Sequence, residues 1–271
     1  MLKKTVLSAF AGLFLMGFSV SELVAVEKTI FVHGRSDKNH CGTSTTDVND
    51  YWKSDKNLAT SYQRIFVGYD GKSDPREWGS CRAQSNLWTV LYNNCRAPNN
   101  CKIICHSAGC YAVDYFFSTY PSVTSSSSYN IKINWVMDVA AATGGSELAN
   151  MAFWEGNGMV YALKTGNARA FNHNVTGGIG MWHLGGYNGW WYTAAFLPGE
   201  DDGAVSYHSS CGKNSTGNYK QCLYNGTNWS NHYVWIDSAQ SKYTSSKQGY
   251  DRDHGQMLGT AREIWNRTHG Y

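Results

Sequence analysis

Short apolar runs rich in β-branched and aromatic residues recur along the chain, each closed by a turn-forming segment. Residues 29–33 (TIFVH) end at Gly34, residues 64–69 (RIFVGY) lead into a turn-rich stretch, and residues 102–105 (KIIC) run straight into HSAG. Each reads as a strand buried on both faces, the pattern of a parallel sheet rather than of a half-solvated antiparallel one. Residues 84–92 (QSNLWTVLY) carry apolar side chains at helical spacing, and residues 110–120 (CYAVDYFFSTY) do so until Pro121 stops them. A fourth strand is predicted over 131–142 (IKINWVMDVAAA), a helix from about Ser146, a strand near 180–186 and a closing helix over 256–265. Strands alternating with helices predict an α/β fold: a mostly parallel central sheet flanked by helices on both faces.

Two segments depart from this alternation. The first 25 residues read as a secretory signal, with Lys3 and Lys4, an apolar core from Val6 to Val20 and small residues at Ser19, Ser21 and Ala25. That leaves 26–271 as a single domain and implies a secreted or periplasmic protein. Residues 150–197 are rich in glycine and aromatics and read as a cap or lid facing the substrate. No stretch after the signal is apolar enough to span a membrane, so no stable membrane insertion is expected.

Composition narrows the function. The 23 basic residues barely exceed the 20 acidic ones and no basic run follows Lys3-Lys4, so nucleic acid is not an expected partner. The eight cysteines behind an export signal point to disulfides. Spacing alone suggests short loops for Cys95 with Cys101 and Cys211 with Cys222, leaving Cys41 for Cys81 and Cys105 for Cys110. The chain has no HExxH, no paired-cysteine zinc spacing and no P-loop, so neither a metal nor a nucleotide cofactor is expected.

The chemistry gathers at strand ends. Cys105-His106-Ser107-Ala108-Gly109 lies between a predicted strand and a predicted helix, the context of a nucleophile elbow in which a sharp turn exposes the serine hydroxyl. Cys105 stands where glycine is usual. His33-Gly34-Arg35 ends an earlier strand, and the amides of Arg35 and Ala108 are the candidate oxyanion hole. Asp202, in the turn-rich acidic loop 197–205, is the candidate acid, with Asp201 and Asp138 as rivals. His254, just before the predicted closing helix, is the candidate base, with His232 as runner-up; His106 and His33 flank the site as structural neighbours.

These islands resemble the α/β-hydrolases, and among them the secreted bacterial lipases and esterases. The likeness runs through FVHGR (31–35), ICHSAG (104–109), ATGGSELA (142–149), EDDGAVSYHSS (200–210) and Asp253-His254. The resemblance implies a serine hydrolase of carboxylic esters, with Ser107 as nucleophile, His254 as base, Asp202 as acid and the acid on the DDGAV segment. Lipids, short acyl esters and polyesters are all candidate substrates. A family aspartate that binds calcium two positions after the catalytic histidine is replaced here by Gln256, so no calcium is expected. Acyl transfer to another alcohol and polyester depolymerisation would use the same triad, and a non-catalytic glycan- or polymer-binding protein would use the same fold. A nucleophilic Cys105 is the remaining alternative, set against its use in a disulfide.

Overall fold

The computed structural model describes residues 25–41, 51–60, 63–152, 154–211, 223–224, 227–235 and 249–263. The expected signal, apart from Ala25, and Cys222 of the expected Cys211–Cys222 pair lie outside the described residues. Six strands form one sheet: β1 (Glu27–Val32), β2 (Arg64–Val67), β3 (Asn100–His106), β4 (Ile133–Val139), β5 (Met181–Leu184) and, after the short ribbon of β6 (Leu223–Tyr224) and β7 (Thr227–Asn228), β8 (His232–Val234). Their order is β2-β1-β3-β4-β5-β8, and every pairing is parallel.

Because successive side chains point to opposite faces, the strands divide their apolar residues between two cores. Ile30, Val32, Ile103 and Val136 pack against helices α1 (Ala83–Asn94) and α2 (Ala108–Thr119). Phe31, Phe66, Ile104, Met137 and Leu184 pack on the other face against Trp52, Tyr250, Met257 and Ala261. The strands are apolar throughout because both faces are covered, which is why their sequence reads as continuous rather than alternating.

Short helices complete the chain: α3 (Ser122–Ser125), α4 (Glu147–Met151), α5 (Gly158–Leu163), α6 (Thr165–Ala168) and α7 (Tyr207–Cys211). Segment 150–197 therefore supplies α5 and α6, then β5. The fourth strand stops at Val139, earlier than its apolar run predicts, because Ala140 turns to φ 46° and leaves the sheet. The expected closing helix is mostly turns, with helical residues only from 260 to 263; the part beyond 263 lies outside the described residues. At its start Asp253 and Gln256 cap each other reciprocally, the Asp253 amide donating to Gln256 Oε1 and the Gln256 amide to Asp253 Oδ1.

The strand order has a consequence for function. Chain order reverses between β1 and β3, which lie side by side with Val32 opposite Cys105. In open α/β sheets the crevice at such a reversal, beyond the carboxyl ends of the strands, is where ligands bind. The loop after β1 carries Gly34 and Arg35, and the turn after β3 carries Ser107.

Candidate active site

Ser107 occupies the turn between β3 and α2 at φ 56° and ψ −127°, a conformation that costs a non-glycine residue free energy and persists only where its surroundings enforce it. Three backbone hydrogen bonds do so: the Ser107 amide donates to Val139 O at 3.0 Å, and the amides of Cys110 and Ala142 each donate to Ser107 O at 3.1 Å. The disulfide Cys105–Cys110 spans the same turn. Gly109 is required by space, since a Cβ there would stand 2.4 Å from the carbonyl oxygens of Val32 and His33.

Residue 34 is held from both sides. Tyr69 N–H donates to His33 Nε2 at 3.2 Å, which places the ring proton on Nδ1 and directs it to Gly34 O at 2.7 Å. Burial lowers the pKa of His33 to about 3, so the ring stays neutral. The Gly34 amide donates to Tyr51 Oη at 3.0 Å. A carbonyl and the following amide point in opposite directions across a planar trans peptide, so fixing Gly34 O toward His33 turns the Arg35 N–H away from it. Among the hydrogen bonds of the described residues, neither the Arg35 nor the Ala108 amide has a partner. Ala108 opens a helix of 12 residues, whose N-terminal amides favour negative charge.

His254 and Asp202 are joined twice. His254 Nδ1 donates to Asp202 Oδ2 at 2.8 Å, and the His254 amide donates to Asp202 O at 2.7 Å. Asp202 Oδ1 accepts from the Ala204 and Val205 amides at 2.9 and 2.8 Å, so the buried carboxylate has its oxygens fully used. Burial by itself depresses the histidine, but the Asp202 charge and hydrogen bond, helped by Asp253, hold His254 above the ordinary imidazole value. The neighbouring Asp201 instead accepts from the Gly203 amide.

A cavity of about 450 Å³ brings these parts together. Ser107 and His254 both border it, and Leu148, Ala149, Val160, Leu163 and Val205 give it an apolar wall. No hydrogen bond joins the Ser107 hydroxyl to His254 among the described residues; such bonds often tighten only around substrate. Arg35 reaches Glu155 across the rim, Nη2 to Oε2, at 2.7 Å.

Tyr51 has no motif around it, and sequence reasoning missed it. Its hydroxyl lies 2.6 Å from His106 Nδ1, and His106 Nε2 lies 3.1 Å from His254 O. Only Nε2–H can serve that carbonyl, so Nδ1 accepts from Tyr51. Burial and the nearby His254 hold His106 well below its usual pKa, and burial holds the Tyr51 phenol above its own. The chain Gly34 N–H to Tyr51 O–H to His106 to His254 O thus links the β1 loop to the backbone of the candidate base. The rivals Asp138 and His232 lie together elsewhere, buried with His183 on strands β4, β5 and β8.

No protein-family model matches the chain, and no curated protein does. Solved structures do match. The lipase BlEst2 of Bacillus licheniformis superposes on 89% of the chain with a TM-score of 0.55; identity is 15% in its propeptide form, of which the chain spans only 49%, and 16% in its mature form, of which it spans 91%. EstA of Clostridium botulinum superposes with a TM-score of 0.54 and 12% identity, over 86% of this chain and 83% of that one. The metagenomic carboxyl esterase MGS0156 does so with 0.52 and 14%, over 89% and 75%. At such identities the likeness is one of architecture: the chain has the α/β-hydrolase fold of bacterial lipases and esterases.

Proposed function

We propose that this chain is an exported serine hydrolase of carboxylic esters with an apolar acyl group. The observation that carries the reading is that the strained Ser107 and His254, itself held by Asp202, border one apolar cavity. In this reading His254 Nε2 takes the Ser107 proton as Oγ attacks the ester carbonyl, and the Arg35 and Ala108 amides receive the developing oxyanion. Asp202 holds the imidazolium in orientation. Collapse of the tetrahedral intermediate breaks the bond to the alkoxy oxygen, His254 returns the proton to that leaving group, and water repeats the sequence on the acyl-enzyme. A cavity near 450 Å³ falls within the range for small-molecule sites and suits an acyl chain more than a sugar, given its aliphatic wall.

Fluorophosphonate labelling of the oxidised protein tests this without assuming a substrate. Labelling at Ser107 that Ser107→Ala abolishes is expected, followed by turnover of esters graded from short acyl chains to polyesters. A folded, oxidised protein that resists the probe would overturn the hydrolase reading and leave the polymer-binding one.

A further inference from the structure

Away from the candidate active site, three adjacent parallel strands turn polar side chains inward on the face that α1 and α2 cover. Asp138 on β4 and His183 on β5 are register partners. His232 on β8 pairs with Met181, two residues before His183, so its side chain shares that face. All three are buried, His183 and His232 completely. Asp138 Oδ2 lies 3.2 Å from His183 Nε2, His183 Nε2 lies 2.8 Å from His232 Nδ1, and one donor atom from each of the three falls within 4.8 Å of the others.

Proton accounting leaves this cluster unsatisfied. His232 Nε2 faces His173 O at 2.8 Å and must carry a proton to do so, leaving a bare lone pair on Nδ1. A neutral His183 ring has a single proton to place. On Nε2 that proton would serve His232 but leave Nδ1 a buried atom with no hydrogen-bond partner. On Nδ1, two nitrogen lone pairs would oppose each other at 2.8 Å. Either arrangement leaves a buried group unpaired, at a cost of about 1–3 kcal/mol.

We propose that Asp138, His183 and His232 bind a divalent transition-metal ion, Zn²⁺ by the nature of the donors. Two imidazoles and a carboxylate are a set that zinc takes, and four-coordinate zinc with donors at about 2.0–2.1 Å holds them roughly 3.3 Å apart. The His183–Asp138 and His183–His232 separations need to open by only about 0.1 and 0.5 Å, while the Asp138 and His232 donors, within 4.8 Å of each other, need to close. A ligating histidine commonly donates its other N–H to a backbone carbonyl, as His232 does to His173. His173 is itself fixed between Asp114 Oδ2 at 2.9 Å and Ala168 O at 3.1 Å, with Trp229 stacked on its ring. The ion would tie β8, at the edge of the sheet, to β4 near its centre. The lack of a metal motif in the sequence bears only on ligands close in the chain, whereas here the sheet gathers them from positions about 45 and 49 residues apart.

The test is independent of activity and of the role of Ser107. The oxidised chain is produced with Zn²⁺ in the medium, passed through a chelating gel filtration, and examined for metal content and by X-ray absorption at the zinc edge. About one zinc per chain, with nitrogen and oxygen donors near 2.0–2.1 Å and no sulfur, is expected. His183→Gln and His232→Gln should lose most of it while Ser107→Ala keeps it. If either histidine variant does not fold, the absorption spectrum of the unaltered protein decides. Protein without retained zinc, zinc with sulfur neighbours at about 2.3 Å, or full retention in a folded histidine variant would overturn the proposal.

Discussion

His254 and Asp202 set the pH behaviour expected of the site. The histidine acts as a base only when neutral, and Asp202 raises its pKa, so the acidic limb of kcat/KM is expected above 6.5, the ordinary imidazole value. Asp202→Asn removes the charge that raises it and reverses the hydrogen bond that sets its tautomer; activity should fall on the order of 10⁴-fold and the limb should move to lower pH. A pH–rate profile of both proteins on a soluble ester checks this, and an unmoved limb would assign the titration to another group. Tyr51 belongs to the same scale. Its loss in Tyr51→Phe leaves the buried Gly34 N–H and His106 Nδ1 without their partner, at a stability cost of about 1–3 kcal/mol. Because Tyr51 positions residue 34 and the His254 backbone without lining up as a reactant, kcat should drop while KM changes little; an equal loss in a Tyr51→Phe variant that merely melts earlier would not produce that split.

Among the elements, α4 is secured through one carboxylate. Glu147 receives Arg169 Nη2 at 3.0 Å, His208 Nε2 at 2.9 Å and Ser206 Oγ at 3.0 Å, which joins α4 to α7 just past the Asp202 turn. Burial pushes the carboxyl up, but the hydrogen bond and charge of His208, helped by its own backbone amide and the Ser206 hydroxyl, bring its pKa from 4.5 down to about 2. A carboxyl depressed in the folded state stabilises it above the unfolded pKa, and that contribution fades as pH falls from 4.5 toward 2. Thermal melts should therefore separate Glu147→Gln from the parent near neutrality and converge at about pH 2. The elbow is a second such element. Cys105→Ala with Cys110→Ala should slow fluorophosphonate labelling and lower Tm together, since the bridge spans the strained Ser107. This scale also separates what was legible in the chain from what was not. TIFVH, KIIC and INWVMDV declared themselves as strands because both sheet faces are covered, and the turns at Ser107 and Asp202 were readable because the residues that form each are contiguous in the chain. Tyr51, the end of β4 at Ala140 and the Asp138–His183–His232 cluster were not, because each depends on contacts between distant segments that no spacing encodes.

At the scale of the whole molecule, the surface beside the cavity is unusually aromatic. Trp190 borders the cavity and packs against Gly203, where a Cβ would meet its ring at 2.7 Å, so it is tied to the turn that carries Asp202. The next residue, Trp191, is 88% exposed, and Tyr192 and Phe196 are exposed beside it. Side chains so placed contribute nothing to the core, yet an indole and a phenol offer large apolar area to anything that lies on this rim. If the substrate is dispersed and short, it enters the cavity without touching Trp191, and Trp191→Ala should hydrolyse it as the parent does. If the substrate is presented on an aggregated lipid or a solid polyester, the rim is what meets that surface, and losing one indole should weaken adsorption roughly tenfold, equivalent to about 1.4 kcal/mol. Parallel assays on a soluble short-chain ester and on an insoluble one separate the two cases. Equal behaviour of Trp191→Ala and parent on both substrates would assign the aromatic rim no part in catalysis at a surface, and would confine specificity to the aliphatic wall formed by Leu148, Val160 and Leu163.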